Sequence, residues 1–265
     1  MNQLSGFFGH TLSSVKCGDL YVALNSYGAC RDYEDFHAHE HASVSFLLNG
    51  GYQEELNGKL FKRNPGDIKF IAAGESHRCN DYHQHTRKIN IELPATLLGA
   101  AAIKEDGVER ILTDHPRTKF TLLKFYGEMQ CGSEAYAASF QQLLLELLCP
   151  VASGYPRKYK QIPTWAVLLK DLLHARCHEQ LGLTDMAAIV GVHPVTISRY
   201  FRQYFDTTLG DYLRDIRVGK ALSMIKTSDQ SLTTIGLACG FSDQSHFTHS
   251  FKKVTGFLPK AYRSM

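Results

Sequence analysis

The sequence lacks any apolar run near the ~20 residues that span a bilayer. Its start, MNQLSGFFGHTLSSVKCGDL, has no basic stretch followed by a roughly 7–15-residue apolar core, so no signal peptide is expected. Seven cysteines, at 17, 30, 79, 131, 149, 177 and 239, are odd in number and never form a CxxC pair. That speaks against a disulfide framework or a cysteine-based zinc site and suits a reducing, cytoplasmic setting. The cysteines read as small buried residues.

Strong net charge is also missing, since the formal balance is +3. The total hides an asymmetry. From Arg157 onward there are 15 Lys and Arg against 8 Asp and Glu, and before it 14 against 18. A basic C-terminal part suits a polyanion, because Lys and Arg on phosphates release condensed counterions. The 265 residues are enough for two ordinary domains, and 44% apolar with 21% charged residues fits a globular chain.

Short strand-like runs fill the first third: 21–27, 44–48, 52–56, 59–63, 68–72 and 88–93. Turn chemistry separates them at Gly50-Gly51, Asn57-Gly58, Asn64-Pro65-Gly66-Asp67 and Ala73-Gly74-Glu75. Asn57-Gly58 is a two-residue hairpin signal, because both positions need positive φ. The pattern predicts an antiparallel barrel or jelly roll. Beyond Pro94 the period becomes helical, with Leu97, Leu98, Ala101 and Ala102 on one face. Residues 135–148 place Tyr136, Phe140, Leu143, Leu144, Leu147 and Leu148 on a broad apolar stripe. Such a stripe needs cover, either from the β-roll or from its copy in a homodimer. Residues 149–164, CPVASGYPRKYKQIPT, read as a linker.

A helix is expected over 165–181, followed by two helix–Gly–helix units about fifty residues apart. In the first, Thr184 is expected to cap the leading helix and Asp185 to suit its positive end. Gly191 turns the chain, and Pro194 fits the first turn of the second helix. Ile197 and Phe201 face inward. Val195, Thr196, Arg199, Arg202 and Gln203 are left to face out. In the second, Gly240 makes the turn, Phe241 plugs the core and Ser242 is the expected cap. Phe247 and Phe251 repeat the inward pair. Gln244, Ser245, His246, His249, Lys252 and Lys253 remain outside or at the helix end. One helix over 210–226 joins the units. A helix-turn-helix lays the start of its second helix in the major groove of double-stranded DNA, and two on one joining helix suit successive grooves. Arg favours guanine, Gln favours adenine, and late lysines clamp phosphates.

These residues resemble the AraC/XylS family of bacterial transcription regulators. The second unit carries the stronger likeness, through Ile235, Gly240-Phe241, Ser245, Phe247, Phe251-Lys252-Lys253, Gly256, Pro259 and Tyr262-Arg263. The first carries it through Ala187, Gly191-Val192, Pro194, Ile197-Ser198-Arg199, Phe201 and Tyr212, and the joining helix through Arg217, Ala221 and Leu222. The departures are His193, where Ser commonly caps; Asp206, where Gly is usual; and His246 and His249, where Tyr and Arg are common. The resemblance implies a sequence-specific regulator, more often an activator, that binds promoter DNA and contacts RNA polymerase.

Six of thirteen histidines fall between residues 37 and 85. His37-Ala-His39-Glu-His41 contains two HxH pairs, and a lone His77 follows the turn at 73–75. This order resembles the small β-barrel called cupin, a frequent sensor domain of such regulators. Metal-binding cupins have a Glu four or five residues after HxH. Counted from His41, those places hold Ser45 and Phe46, so no metal or other cofactor is expected. His39, His41 and His77 are the three imidazoles that could still bind one. Otherwise His37, His39, His41 and His77 are candidates to bind a small effector or respond to acid.

The expected fold is therefore α+β. Residues 1–150 form a cupin-like sensing and dimerisation domain, 151–163 a linker, and 164–265 an all-α domain with two helix-turn-helix motifs. The protein is expected to be a non-enzymatic cytoplasmic regulator. The alternatives are a metal- or acid-responsive regulator and a cupin metalloenzyme fused to a DNA-binding domain.

Overall fold

The computed structural model describes residues 7–28, 34–100, 108, 109, 112, 117–131, 136–152 and 162–265. The chain divides into two compact units, Met1–Ala152 with Met265, and Ser153–Ser264. In the first unit lie β1 (His10–Cys17), β2 (Leu20–Tyr27), β3 (Glu34–His37), β4 (Ala42–Asn49), β5 (Tyr52–Leu56), β6 (Lys59–Arg63), β7 (Ile68–Ile71), β8 (His77–Asn80) and β9 (Thr86–Leu93). They form two antiparallel sheets, β1-β2-β9-β4-β7 and β3-β8-β5-β6. The Asn57-Gly58 hairpin forms as expected. Leu56 pairs with Lys59, and the turn residues take φ of 51° and 71°.

The sheets face each other over a cluster of Tyr27, Leu47, Tyr52, Cys79 and Tyr82. Tyr27 and Tyr52 stack on Tyr82, with ring centroids 4.4 and 5.1 Å away. Three strands lay outside the sequence reading. β1 is a largely exposed edge strand of polar residues, and β3 and β8 are four residues long and rich in charge and histidine. None of the three carries the apolar alternation that marks a strand.

Helices α1 (Ala95–Ala100), α2 (Thr118–Cys131) and α3 (Tyr136–Ala152) follow among the described residues. Ala101, Ala102 and Ala135 of the expected helices lie outside the described residues. The stripe of α3 is covered within the chain. Phe140, Leu143, Leu144 and Leu148 are buried, and Phe140 meets Phe125 of α2 edge-on at 5.1 Å. The cover is thus α2, a helix the apolar spacing of 118–131 did not reveal. α3 continues through Pro150 to Ala152, so the expected linker begins as helix. Residues 153–161 lie outside the described residues.

The second unit holds α4 (Thr164–Ala175), α5 (Leu183–Val190), α6 (Pro194–Phe205), α7 (Leu209–Thr227), α8 (Leu232–Ala238), α9 (Gln244–Thr255) and α10 (Pro259–Ser264). α4 stops six residues before the expected end. Beyond it, the carbonyls of Cys177 and Glu179 accept from the Arg217 guanidinium at 2.7 and 2.9 Å. Tertiary hydrogen bonds thus take those carbonyls away from helical use. No helix among the described residues is long and apolar enough to cross a membrane. Cys79, Cys177 and Cys239 form no disulfide and are buried, in line with their reading as core residues.

Candidate nucleic-acid interface and barrel interior

The first helix-turn-helix is α5 and α6. Gly191 ends α5 in the left-handed region, at φ 73°. The cap of α5 is Gly182, not Thr184. Its N–H donates to the Asp185 carboxylate at 3.0 Å, so Asp185 serves the helix start directly. Pro194 opens α6, and His193 caps it, its Nδ1 accepting from the Val195 N–H at 3.3 Å. Ile197 and Phe201 are fully buried against Leu169, Leu173, Met186 and Tyr212. Asp206 closes α6 at φ 52°, a conformation Asp adopts more readily than most residues. Val195, Arg199 and Arg202 are exposed, and Thr196 and Gln203 half-buried.

The second unit is α8 and α9, joined to the first by α7. Gly240 turns at φ 91°, and a Cβ there would sit 2.8 Å from the Cys177 carbonyl oxygen and the His178 backbone. Gln180 donates to the Gly240 carbonyl at 2.8 Å. Arg217, the 176–182 segment and Gly240 therefore lock the second turn to the end of α4. The cap of α9 is Asp243 rather than Ser242. Its Oδ1 accepts the His246 N–H at 2.8 Å, because Ser242 lies one residue too early for that bond. Phe241, Phe247 and Phe251 are buried. Gln244, Ser245, His246, His249, Lys252 and Lys253 are all exposed on α9. Thr233 donates to the Gln244 Oε1 at 2.9 Å, turning the amide NH₂ of Gln244 outward. The backbone N–H of His246 and the Ser242 hydroxyl hold the Asp243 carboxyl below its usual range.

The two second helices thus repeat one plan: a turn glycine, a capped start, an inward aromatic and an outward polar face. α7 has 19 residues and spans about 28 Å at ~1.5 Å per residue, close to one DNA turn of about 34 Å.

The barrel interior is a second polar site. His37, His39 and His77 come together, with ring centroids 4.3 to 5.2 Å apart. Their candidate ligand nitrogens lie within 4.8 Å of one another. His41 is not in this group. β3 ends at His37, so the HxH run leaves the strand, and the inward pair is His37 and His39 rather than His39 and His41. Counted from His39, the place of the missing Glu falls on Ser43, which lines the cavity. The Nδ1 of His37 lies 2.7 Å from the Asp35 carbonyl and that of His77 3.2 Å from the Glu75 carbonyl. A carbonyl only accepts, so both Nδ1 atoms carry a proton, and in the neutral rings both Nε2 atoms keep a lone pair. The buried Nε2 of His37 has no hydrogen-bond partner. Burial, with His77, His37 and Lys88 nearby, lowers His39 to about 4; burial also lowers His77.

Sequence reading missed the rest of this interior. Lys88 on β9 is buried, with Nζ 4.2, 4.5 and 5.1 Å from the ring centroids of Tyr27, Tyr52 and Tyr82. It donates to the Tyr82 hydroxyl at 3.0 Å, which donates to the buried Glu34 at 2.7 Å. Burial alone would lower the Lys88 ammonium, but Tyr27, Tyr82, Glu34 and Tyr52 outweigh it and hold it well above the usual range. Glu54 is buried beside Arg63, which pairs with it. Burial pushes the Cys79 thiol up to about 12. An aromatic cage exists, then, and a lysine of the protein fills it. The cavity beside these groups measures about 20 Å³, room for roughly one water.

Two helix-turn-helix units braced on one helix, each exposing polar side chains at the start of its second helix, define a protein that reads double-stranded DNA. Known proteins agree. A family model described as a helix-turn-helix domain matches residues 186–265. The uncharacterized HTH-type transcriptional regulator YobQ of Bacillus subtilis (strain 168) is 26% identical over 235 residues, covering 86% of this chain and 89% of its own. The HTH-type transcriptional activator RhaR of Mannheimia succiniciproducens is 20% identical over 240 residues, 86% of each chain. Among solved structures, an AraC-type DNA-binding domain-containing regulator from Chromobacterium violaceum is 30% identical over 38% of this chain and 89% of its own, with a TM-score of 0.36. Residues 186–265 thus match a helix-turn-helix domain family, and over 86% of its length the chain is similar to HTH-type transcriptional regulators.

Proposed function

We propose that the chain is a cytoplasmic transcriptional activator that places α6 and α9 in adjacent major grooves of promoter DNA and contacts RNA polymerase. The observation that carries this is the repetition of one exposed polar face on α6 and α9, spaced by α7. The relative RhaR bears the name of an activator, which supports the sign of regulation. Residues 1–150 are the sensing and dimerisation domain, 151–163 the linker and 164–265 the DNA-binding domain.

Roles within the interface divide by position. Arg199 and Gln244 read bases, and Lys252 clamps a phosphate. Arg199→Ala and Gln244→Ala are expected to relax base preference at one position each, costing about 1–3 kcal/mol on the preferred site. Lys252→Ala is expected to weaken all sequences alike and lower the salt slope by about 1. Titrations on preferred and scrambled duplexes at several salt concentrations check this; equal losses on both duplexes for all three variants contradict it.

A second reading concerns the signal. The barrel cavity is too small for an organic effector without opening, whereas three converging imidazoles, two of them turned by a carbonyl on Nδ1 so that Nε2 is left to bind, suit a first-row divalent metal ion. His37, His39 and His77 would hold it, and the Asp35 and Glu75 carbonyls would orient two of them. His41 would not take part. Zinc titration by calorimetry is expected to show one site per chain, lost in His77→Ala and kept in His41→Ala. Retention of binding in His77→Ala contradicts the assignment.

A further inference from the structure

The start of α9 carries a hydrogen-bonded chain that decides which way its histidine speaks to DNA. The Ser242 Oγ lies 2.9 Å from the Asp243 Oδ2 and 3.0 Å from the His246 Nδ1. An ionised carboxylate accepts and never donates, so the single Ser242 proton goes to Asp243. Toward His246, Ser242 Oγ then has only lone pairs to offer. The Nδ1 of a neutral His246 must therefore carry the ring proton, which leaves its Nε2 as an acceptor. The ring is fixed in place by a second contact, an edge-on approach to Phe241 at 5.3 Å. The Asp243 carboxylate is itself anchored through the His246 backbone N–H at 2.8 Å.

The first unit has the opposite polarity. His193, at the cap of α6, uses Nδ1 to accept from the Val195 N–H at 3.3 Å. Its ring proton is therefore on Nε2, and it faces outward as a donor. The two units thus present histidines of opposite hydrogen-bonding sense at the starts of their second helices.

We propose that His246 is a specificity-determining residue that reads an exocyclic amino group in the major groove, the N6 amino of adenine or the N4 amino of cytosine, through an Nε2 acceptor set by Ser242 and Asp243. Guanine and thymine present only acceptors at the corresponding places in the groove, so they are rejected at that position. Ser242 is a positioning residue that acts through His246. The inference rests on the reading of α9 as the groove-inserted helix of the second unit.

The test is selection of duplexes from a random library by the full-length protein, followed by sequencing, for the wild type, His246→Ala, Ser242→Ala and Ser242→Thr. The wild type is expected to select adenine or cytosine at one position, and His246→Ala to lose preference there and nowhere else. Ser242→Ala frees both ring tautomers while Asp243 still caps the helix, so it is expected to admit guanine or thymine at that position. Ser242→Thr keeps the hydroxyl and is expected to restore the preference. Replacing the selected base with an analogue lacking its amino group is expected to weaken wild-type binding about five- to ten-fold and leave His246→Ala unchanged. A wild-type preference for guanine or thymine at the position His246 controls would overturn the acceptor assignment while leaving DNA reading by α9 intact. An unchanged motif in His246→Ala would overturn the role of His246. The absence of any selected motif would overturn the underlying DNA-reading assignment and the proposal with it.

Discussion

Phe251→Ala is expected to abolish sequence-specific DNA binding while the N-terminal unit stays folded. Phe251 is fully buried at the meeting of α9 and α10, with Phe247 at 5.6 Å and Tyr262 at 5.8 Å between ring centroids. Truncating a buried Phe costs about 3–5 kcal/mol, through lost transfer free energy and the cavity left behind. That is a large share of the ~5–15 kcal/mol that holds a domain together. The damage falls on α9, whose outward face depends on its inward one. If Phe251 is not in place, Gln244, His246 and Lys252 have no fixed positions. Hydrogen exchange resolved along the chain is expected to show faster exchange in α8 to α10 and no change in the strands. Unchanged protection in α9 would contradict the assigned core.

The second large effect lies in the barrel. Lys88→Met is expected to destabilise the N-terminal unit by about 3–5 kcal/mol, the usual result of removing one partner from a buried charge network. Lys88 and Glu34 are 5% and 4% exposed and communicate through the Tyr82 hydroxyl. Without the ammonium, the buried Glu34 carboxylate loses the cation to which the Tyr82 hydroxyl links it. Three tyrosine rings also lose the cation they surround. The double variant Lys88→Met, Glu34→Gln removes both charges and is expected to recover most of the loss. Urea unfolding followed on the N-terminal unit checks both. A Lys88→Met midpoint equal to that of the wild type would show that the ammonium adds nothing net.

The DNA-binding unit was legible because its signals are local. Gly191 and Gly240 turn the chain, Pro194 starts a helix, and pairs four apart face inward; each needs only a few neighbouring residues to recognise. Even there, two caps moved: from Thr184 to Gly182, whose N–H donates to the Asp185 carboxylate, and from Ser242 to Asp243, whose carboxylate reaches the His246 N–H. Six strands were legible from alternation and turns, with Asn57-Gly58 the clearest. β1, β3 and β8 were not, since an exposed edge strand and two short polar strands have no apolar period. The histidine trio was half legible. Its composition marked it, but its register depended on where β3 ends, and that choice between His37 and His41 is tertiary. Lys88, Glu34 and Tyr82 left no sequence signal at all. They come from β9, β3 and the loop after β8, and only the closing of two sheets brings them together.

In the proposed complex α6 and α9 enter adjacent major grooves. Methylation protection of a selected duplex by the full-length protein tests it most directly. Two protected major-groove patches are expected on one face of the DNA, about 10 base pairs apart, with Arg199→Ala clearing contacts in one patch and Gln244→Ala in the other. A single protected patch affected by both variants, or uniform protection that fades with salt, would contradict it.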